Sequence, residues 1–364
     1  MKPVAMFDLF AGGGGAAEGA LLAGAIVPLA WECWFEKNKA TGEYEITPHQ
    51  PALDVHISNH SNTKVRQVAI GANPGWEVKI LRRWFAVYRA RGYHIHLHGS
   101  PPCQALSNAS STNADEGLVL VNHYLWLVEQ TEPDSWSMEN VVPLKKKLGD
   151  RVPSVILNSA DFGVPQTRRR CFAGEGWEAT PTHTKEEWVS VLEALPHLQE
   201  EVASLVPVPS MTEQYKNADI EKPYPTVTSQ SPKQLKIMMD SGRGNAPSTG
   251  VNPATGKRGG GKGPLFRDVD RPSYTITSSA RRLVINNGGA GESVSRRALS
   301  GDRDIDNPAT GKLRALTLAE TATLQGFPST YNWEPAKFQK YRWTIIGNAV
   351  PPPMMAAVIR GVQQ

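Results

Sequence analysis

Four consecutive glycines, Gly12-Gly13-Gly14-Gly15, constrain this chain more than any other stretch because of what flanks them. Before them runs a short apolar segment, Val4-Ala5-Met6-Phe7-Asp8-Leu9-Phe10, with the composition of a buried strand. After them, Ala16 to Ala25 supplies small residues and leucines suited to a helix packed on a sheet. Glycine lets the backbone turn tightly and approach a ligand where a Cβ would collide. A second strand, Ile26 to Trp31, ends at Glu32, about 20 residues beyond the turn, where a carboxylate can accept hydrogen bonds from ribose hydroxyls. The spacing is not G-x-G-x-x-G, yet the layout is that of a Rossmann-like unit for an adenosine-bearing cofactor. A flexible loop with a solvated carboxylate would carry the same letters.

Cys103 stands out next, in Gly99-Ser100-Pro101-Pro102-Cys103-Gln104-Ala105-Leu106-Ser107. It follows the β-like run Tyr93 to His98, so it falls on a loop at the carboxyl end of a strand, where α/β proteins carry reactive groups. Backbone N–H groups of a following helix would favour its thiolate there. A cysteine packed under a turn is the plainer reading of the string alone.

Four further clusters accompany it. Ser137-Met138-Glu139-Asn140-Val141 ends another β-like stretch and would set Glu139 at the same sheet edge as Cys103. The segment Leu157 to Arg170 ends Gln166-Thr167-Arg168-Arg169-Arg170; in extended geometry Gln166, Arg168 and Arg170 share one face, Thr167 and Arg169 the other. Arginines beside the apolar Cys171-Phe172 are costly unless an anion or carboxylate meets them. Leu316 to Pro328 reads as a capped helix stopped by Gly326. Ile345 to Pro353, containing Gly347-Asn348-Ala349-Val350, precedes a closing helix over 354–362.

Composition removes several function classes. No apolar run in the 364 residues reaches the ~18 that a membrane span needs, and no secretory leader is visible, so a cytoplasmic location is expected. The three cysteines are too few and too scattered for a disulfide framework or a zinc cluster, and no metal is expected. A net charge of +4 does not by itself imply a nucleic-acid partner. Its distribution is more telling: Lys233 to Arg282 holds ten Lys/Arg against three Asp/Glu, an excess suited to phosphate contact.

Taken in order, these strings resemble the cytosine-C5 DNA methyltransferase family. Asp8 to Gly15 matches its S-adenosylmethionine motif, Gly99 to Ser107 its nucleophile motif, and Glu139-Asn140-Val141 its catalytic glutamate motif. Gln166-x-Arg168-x-Arg170 matches the active-site arginine motif; Leu324 to Pro328 and Gly347 to Pro352 match the two C-terminal motifs. Two positions depart from the pattern. Gln67 stands where an Asp usually contacts the adenine amino group, after a polar stretch from Glu36 to Arg66 that is longer than the usual link. Ala319 replaces the arginine usually found before Glu320.

The resemblance implies an α/β fold: a Rossmann-like methyltransferase domain with a mostly parallel sheet, plus a smaller, irregular, β-rich target-recognition domain. The expected boundaries are 1–173 with 313–364 for the catalytic domain and 174–312 for target recognition. It also implies methyl transfer from S-adenosyl-L-methionine to C5 of a flipped-out cytosine in double-stranded DNA. Cys103 would add to C6, Glu139 would hydrogen-bond N3 and the exocyclic amine, and Arg168, Arg170 and Gln166 would complete the catalytic set. Asp8, Phe10, Gly12, Gly14, Gly15, Glu32, Pro101 and Asn348 would hold the cofactor. Gln104, Ser107, Arg281 and Arg282 would contact DNA. The expected form is a monomer, with a cognate restriction endonuclease as a functional partner or a phage or solitary role. An RNA cytosine methyltransferase on the same scaffold, and a silent DNA-binding relative, stay open at this point.

Overall fold

The computed structural model describes residues 2–38, 44–102, 118–197, 236–241, 265–268, 273–274, 280–286, 305–307, 311–315 and 317–362. The chain opens with β1 (Val4–Leu9), α1 (Gly15–Leu22) and β2 (Ile26–Glu32), so the expected strand, glycine turn, helix and strand are all present. A small hairpin follows, β3 (Phe35–Lys37) with β4 (Tyr44–Ile46), then α2 (Pro51–Asn59), β5 (Lys64–Gln67) and α3 (Pro74–Ala90). Next come β6 (His94–Gly99), α4 (Val119–Thr131), β7 (Ser135–Asn140), α5 (Pro143–Leu148), β8 (Ser154–Asn158), β9 (Gln166–Thr167) and β10 (Arg169–Glu175).

Seven of these strands form one sheet in the order β5-β2-β1-β6-β7-β10-β8. β5, β2, β1, β6 and β7 run parallel, and β10 runs antiparallel between β7 and β8. The order reverses between β1 and β6, which opens a crevice at their carboxyl ends, the place where open α/β sheets bind ligands. Period-two alternation assigns the two faces. Phe7, Leu9, Leu29, Trp31, Ile95 and Leu97 pack with Leu81 and Phe85 of α3 and Tyr124 and Leu127 of α4. Met6, Val27 and Phe172 pack on the other side with Ala16, Ala17 and Ala20 of α1.

The C-terminal part returns to this sheet through α7 (Leu318–Leu324), α8 (Gln339–Asn348) and α9 (Pro352–Arg360), the element between β10 and them being the one-turn α6 (Val191–Ala194) and a second set of strands. A capping box starts α7: Thr317 Oγ1 accepts from Glu320 N, and Glu320 accepts from Thr317 N. Gly326 at φ 89° then turns the chain away, as the sequence pattern predicts. Met354, Met355 and Val358 of α9 join the α1 side of the core.

The second set comprises β11 (Lys236–Ser241), β12 (Leu265–Asp268), β13 (Ser273–Tyr274), β14 (Ala280–Asn286), β15 (Ile305–Asn307) and β16 (Gly311–Ala315). Five of them make an antiparallel sheet ordered β12-β11-β14-β16-β15, the β-rich second unit. β13 instead pairs with β9, Ser273 opposite Gln166 and Tyr274 opposite Thr167, tying this part of the chain to the arginine segment.

The packing shifts both expected boundaries. Residues 174–197 remain on the large unit: Trp177 Nε1 donates to Trp136 O, Glu178 N to Gly361 O, and Val191 and Leu195 are buried against α7 and α8. Residues 313–315, expected in the catalytic domain, are part of β16 in the second sheet. The composition change near Gly174 marks the end of β10 and not the end of the packed unit.

Candidate active site

The expected cofactor residues meet at the carboxyl ends of β1 and β2. Ala11 N donates to Trp31 O, which folds the glycine turn across the end of β2. Gly12 N donates to Glu32 Oε2 at 2.6 Å, so the carboxylate and the turn are in direct contact. Phe10, at φ 58°, and Gly14, at φ 94°, both take left-handed conformations that bracket the turn, and Gly14 caps α1. A Cβ on Gly15 would come within 2.5 Å of Val350 O, so the glycine run also admits the C-terminal motif. Asn348 ends α8 beside it and is exposed.

Asp8 is 1% exposed, and neither carboxylate oxygen has a hydrogen-bond partner among the described residues. Burial, and then the charge of Glu32, hold its carboxyl well above the usual carboxylate range. Burial pushes Glu32 up to about 7, opposed by the backbone N–H groups of Gly12 and Cys33. Gln67 ends β5 in register with Glu32 and is exposed. A glycine cradle, an acceptor carboxylate and an orphaned buried carboxyl suit the ribose, amine and sulfonium groups of S-adenosylmethionine.

The chemical half lies at the same edge on β6, β7 and β10. β6 ends at Gly99, and Ser100 N donates to Leu9 O of β1. Pro101 is buried and its carbonyl accepts from Asn140 Nδ2 at 3.0 Å. Cys103, Gln104 and Ser107 lie outside the described residues. Glu139 is 7% exposed and stands opposite Phe172 of β10. Arg170 Nε lies 3.0 Å from Glu139 Oε1, an ion pair that answers the cost of a buried carboxylate. Because β10 is antiparallel, its start reaches the edge where β7 ends, and this brings the two motifs together.

Gln166 and Arg168 are both buried, at 0% and 2%, while Arg169 is exposed, in keeping with the expected alternation. Gln166 Nε2 donates to Gln325 Oε1 at 2.6 Å and to Leu324 O, and Gln325 Nε2 donates on to Ala349 O. Its amide therefore joins the arginine segment to both C-terminal motifs. Arg168 N donates to Ser159 Oγ. Arg281 and Arg282 both lie on β14, where Arg282 is opposite Asp240 of β11. Asn140 is a site residue that the sequence reading passes over: it anchors the backbone just before Cys103, and its only signal was its place beside Glu139.

The family model of the C-5 cytosine-specific DNA methylases matches residues 4–364. The chain belongs to that family. Among curated relatives, the Type II methyltransferase M1.HphI of Haemophilus parahaemolyticus is 26% identical over 289 residues, 72% of this chain and 67% of that one. The Type II methyltransferase M.AgeI of Thalassovita gelatinovora is 28% identical over 193 residues, 48% of this chain and 40% of that one. Two solved structures share the methylase's fold: a DNA modification methyltransferase described from an E. coli prophage, and Entamoeba histolytica EhMeth. The first is 19% identical and the second 13%, each with a TM-score of 0.50; they cover 98% of this chain and 98% and 97% of their own.

Proposed function

We propose that this methylase modifies cytosine within a specific double-stranded DNA sequence by covalent catalysis from Cys103, with the target base flipped into the crevice. Membership of the family makes it a DNA cytosine-5-methyltransferase that uses S-adenosylmethionine as methyl donor. The observation that carries the residue assignment is the ion pair of buried Glu139 with half-buried Arg170, beside the anchored Pro101 backbone.

Cytosine C5 is too weak a nucleophile to take a methyl group unaided. Addition of the Cys103 thiolate to C6 makes C5 enamine-like and divides one difficult step into two. Electron density then moves toward N3, where the Glu139 carboxyl hydrogen-bonds N3 and the exocyclic amine. Arg170 holds that carboxyl in place, and Arg168 meets charge near O2 and the phosphate. Glu32 would accept from the cofactor's ribose hydroxyls, the 12–15 glycine turn would allow its close approach, and Asp8 would answer its positive charge. Phe10, Pro101 and Asn348 would complete the residues that hold it. Bound there, S-adenosylmethionine supplies an electrophilic sulfonium methyl. The C5 proton passes to water, the Cys103 thiolate departs, and N3 returns its proton to Glu139, which completes the exchange.

Sequence reading is assigned to the part between His197 and Thr317, with Gln104 and Ser107 from the nucleophile loop and Arg281 and Arg282 from β14. The basic excess over 233–282 supports this. The Type II names of the relatives support a cognate restriction endonuclease as functional partner, and a monomer acting on DNA in the cytoplasm is the form proposed. No helix among the described residues is long and apolar enough to cross a membrane.

Duplex DNA carrying 5-fluorocytosine tests the mechanism, because fluorine at C5 cannot leave as a proton does and the adduct accumulates. Wild type with S-adenosylmethionine should form a denaturant-resistant protein–DNA complex, and Cys103→Ser should form none. An adduct that persists in the serine variant would refute the assigned nucleophile.

A further inference from the structure

Three histidines of β6 and two serines of β7 form a continuous hydrogen-bonded ladder through the middle of the sheet. His94 Nε2 meets Ser135 Oγ at 2.8 Å, and the same oxygen meets His96 Nδ1 at 2.8 Å. His96 Nε2 meets Ser137 Oγ at 2.8 Å, which meets His98 Nδ1 at 2.8 Å. His98 Nε2 then meets Ser100 Oγ at 3.2 Å. His96, His98 and Ser137 are fully buried, Ser135 is nearly so, and His94 is 8% exposed. Over the length of β6 the ladder spans about 20 Å.

Its two ends differ. At the active-site edge, Gly99 is in register with Met138, so Ser100 and Glu139 stand one step beyond, and Glu139 shares the face of Ser135 and Ser137. Glu139 Oε1 faces Arg170 Nε at 3.0 Å as an ion pair and accepts no aligned hydrogen bond among the described residues. Asp8, in register with His98, is the other acid on this face. At the far edge, Asp134, Arg89 and Lys2 act on His94, and the Arg89–Asp134 ion pair is open to solvent. Burial holds His98 down at about 3 and His96 well below its ordinary value, so both rings are neutral.

Each serine oxygen lies between two imidazole nitrogens, so its O–H donates to one ring and it accepts N–H from the other. One polarity therefore fixes every ring in the same tautomer, and a proton entering one end releases a proton at the other. We propose that this ladder is a proton relay that loads and unloads Glu139 from the far edge of the sheet while DNA closes the crevice. The proposal rests on the reading that Glu139 donates to N3 of the cytosine. A proton taken by His94 Nδ1 displaces the Nε2 proton to Ser135, and the hydroxyl proton of Ser135 passes to His96 Nδ1. The same exchange repeats through Ser137 and His98 to Ser100, where the hydrogen-bonded chain ends. The last transfer, from Ser100 Oγ to a Glu139 oxygen, requires these neighbours on one sheet face to close to hydrogen-bond distance when DNA binds. Every ring ends as the other neutral tautomer, and no charge is left inside the sheet. When the product leaves, Glu139 returns its proton along the same path and the ladder resets.

A relay and a positioning scaffold differ in how an effect depends on distance. Single-turnover methyl transfer from S-adenosylmethionine to duplex DNA should slow about tenfold in both Ser137→Ala and Ser135→Ala, although Ser135 is a rung further away. Ser135→Thr, which restores the hydroxyl, should recover the rate, and thermal melting should show all three folded. In mixed H2O/D2O the wild-type rate should depend on deuterium content along a curve, since several protons move, and the alanine variants should lose that curvature. Wild-type speed in Ser135→Ala, or slowing confined to Ser137→Ala, would overturn the relay. Wild-type speed in Glu139→Gln would instead overturn the role given to Glu139, a separate failure.

Discussion

Glu32 carries two demands at once. In the free protein it accepts from Gly12 N, and in the proposed complex it also accepts from ribose hydroxyls. Ribose O–H groups donate more strongly to a carboxylate than to a carboxylic acid, so binding favours the ionised form. Burial places the carboxyl at about 7 in the free protein, so the ionised fraction rises about tenfold between pH 6 and pH 8. Affinity for S-adenosylmethionine should therefore rise about tenfold across that interval and level off above it, while Glu32→Gln should bind more weakly without the slope. Calorimetric titration at several pH values checks this; a flat wild-type profile, or the same slope in the glutamine variant, would contradict it. Asp8 offers the complementary lesson. A carboxyl that, like Asp8, is buried without a hydrogen-bond partner among the described residues costs stability, and a ligand-binding edge is where such a cost is retained.

At the scale of elements, α1 and α9 are packed through a glycine. A Cβ on Gly19 would overlap Pro352 O and come within 2.7 Å of Met355 Cβ. Alanine gains about 1 kcal/mol of helix propensity over glycine. Here the clash with backbone outweighs that gain, and Gly19→Ala should cost about 1–3 kcal/mol net. Guanidinium unfolding measures it, and a higher midpoint in the variant would show that the two helices can part freely. Local chemistry made several elements readable in the sequence: the glycine turn before α1, the Thr317–Glu320 capping box and the Gly326 stop all act within a few residues. The hairpin β3–β4 and helix α2, by contrast, lie inside a stretch read only as a long polar link. Their partners are distant, as where Gln50 bonds Trp34 and Asn59 bonds Asn332. The histidine ladder was half visible, since His94, His96 and His98 alternate, as do Ser135 and Ser137. What joins them is the β6–β7 register, which neither segment contains by itself.

At the scale of the whole molecule, the C-terminal segment 317–362 packs back on the large sheet and meets the arginine segment there. Gln166, Gln325 and Ala349 are linked in series, so the arginine segment, α7 and the stretch after α8 are held as one body. Motif order made that convergence legible, because six strings read as one family whose membership the whole-chain match establishes. The boundaries were less legible: residues 174–197 are poor in long apolar runs yet contribute Trp177, Val191 and Leu195 to packing on the large unit. The placement of Gln104, Ser107 and Cys103 lies outside the described residues, so their assignment rests on the motif. The central claim is tested most directly by mass spectrometry of nucleosides from duplex DNA incubated with the protein and S-adenosylmethionine, beside Cys103→Ser. The account predicts 5-methylcytosine with the wild type and none with the serine variant. Unmodified cytosine with the folded wild type on DNA of mixed sequence, or equal methylation by both proteins, would contradict it.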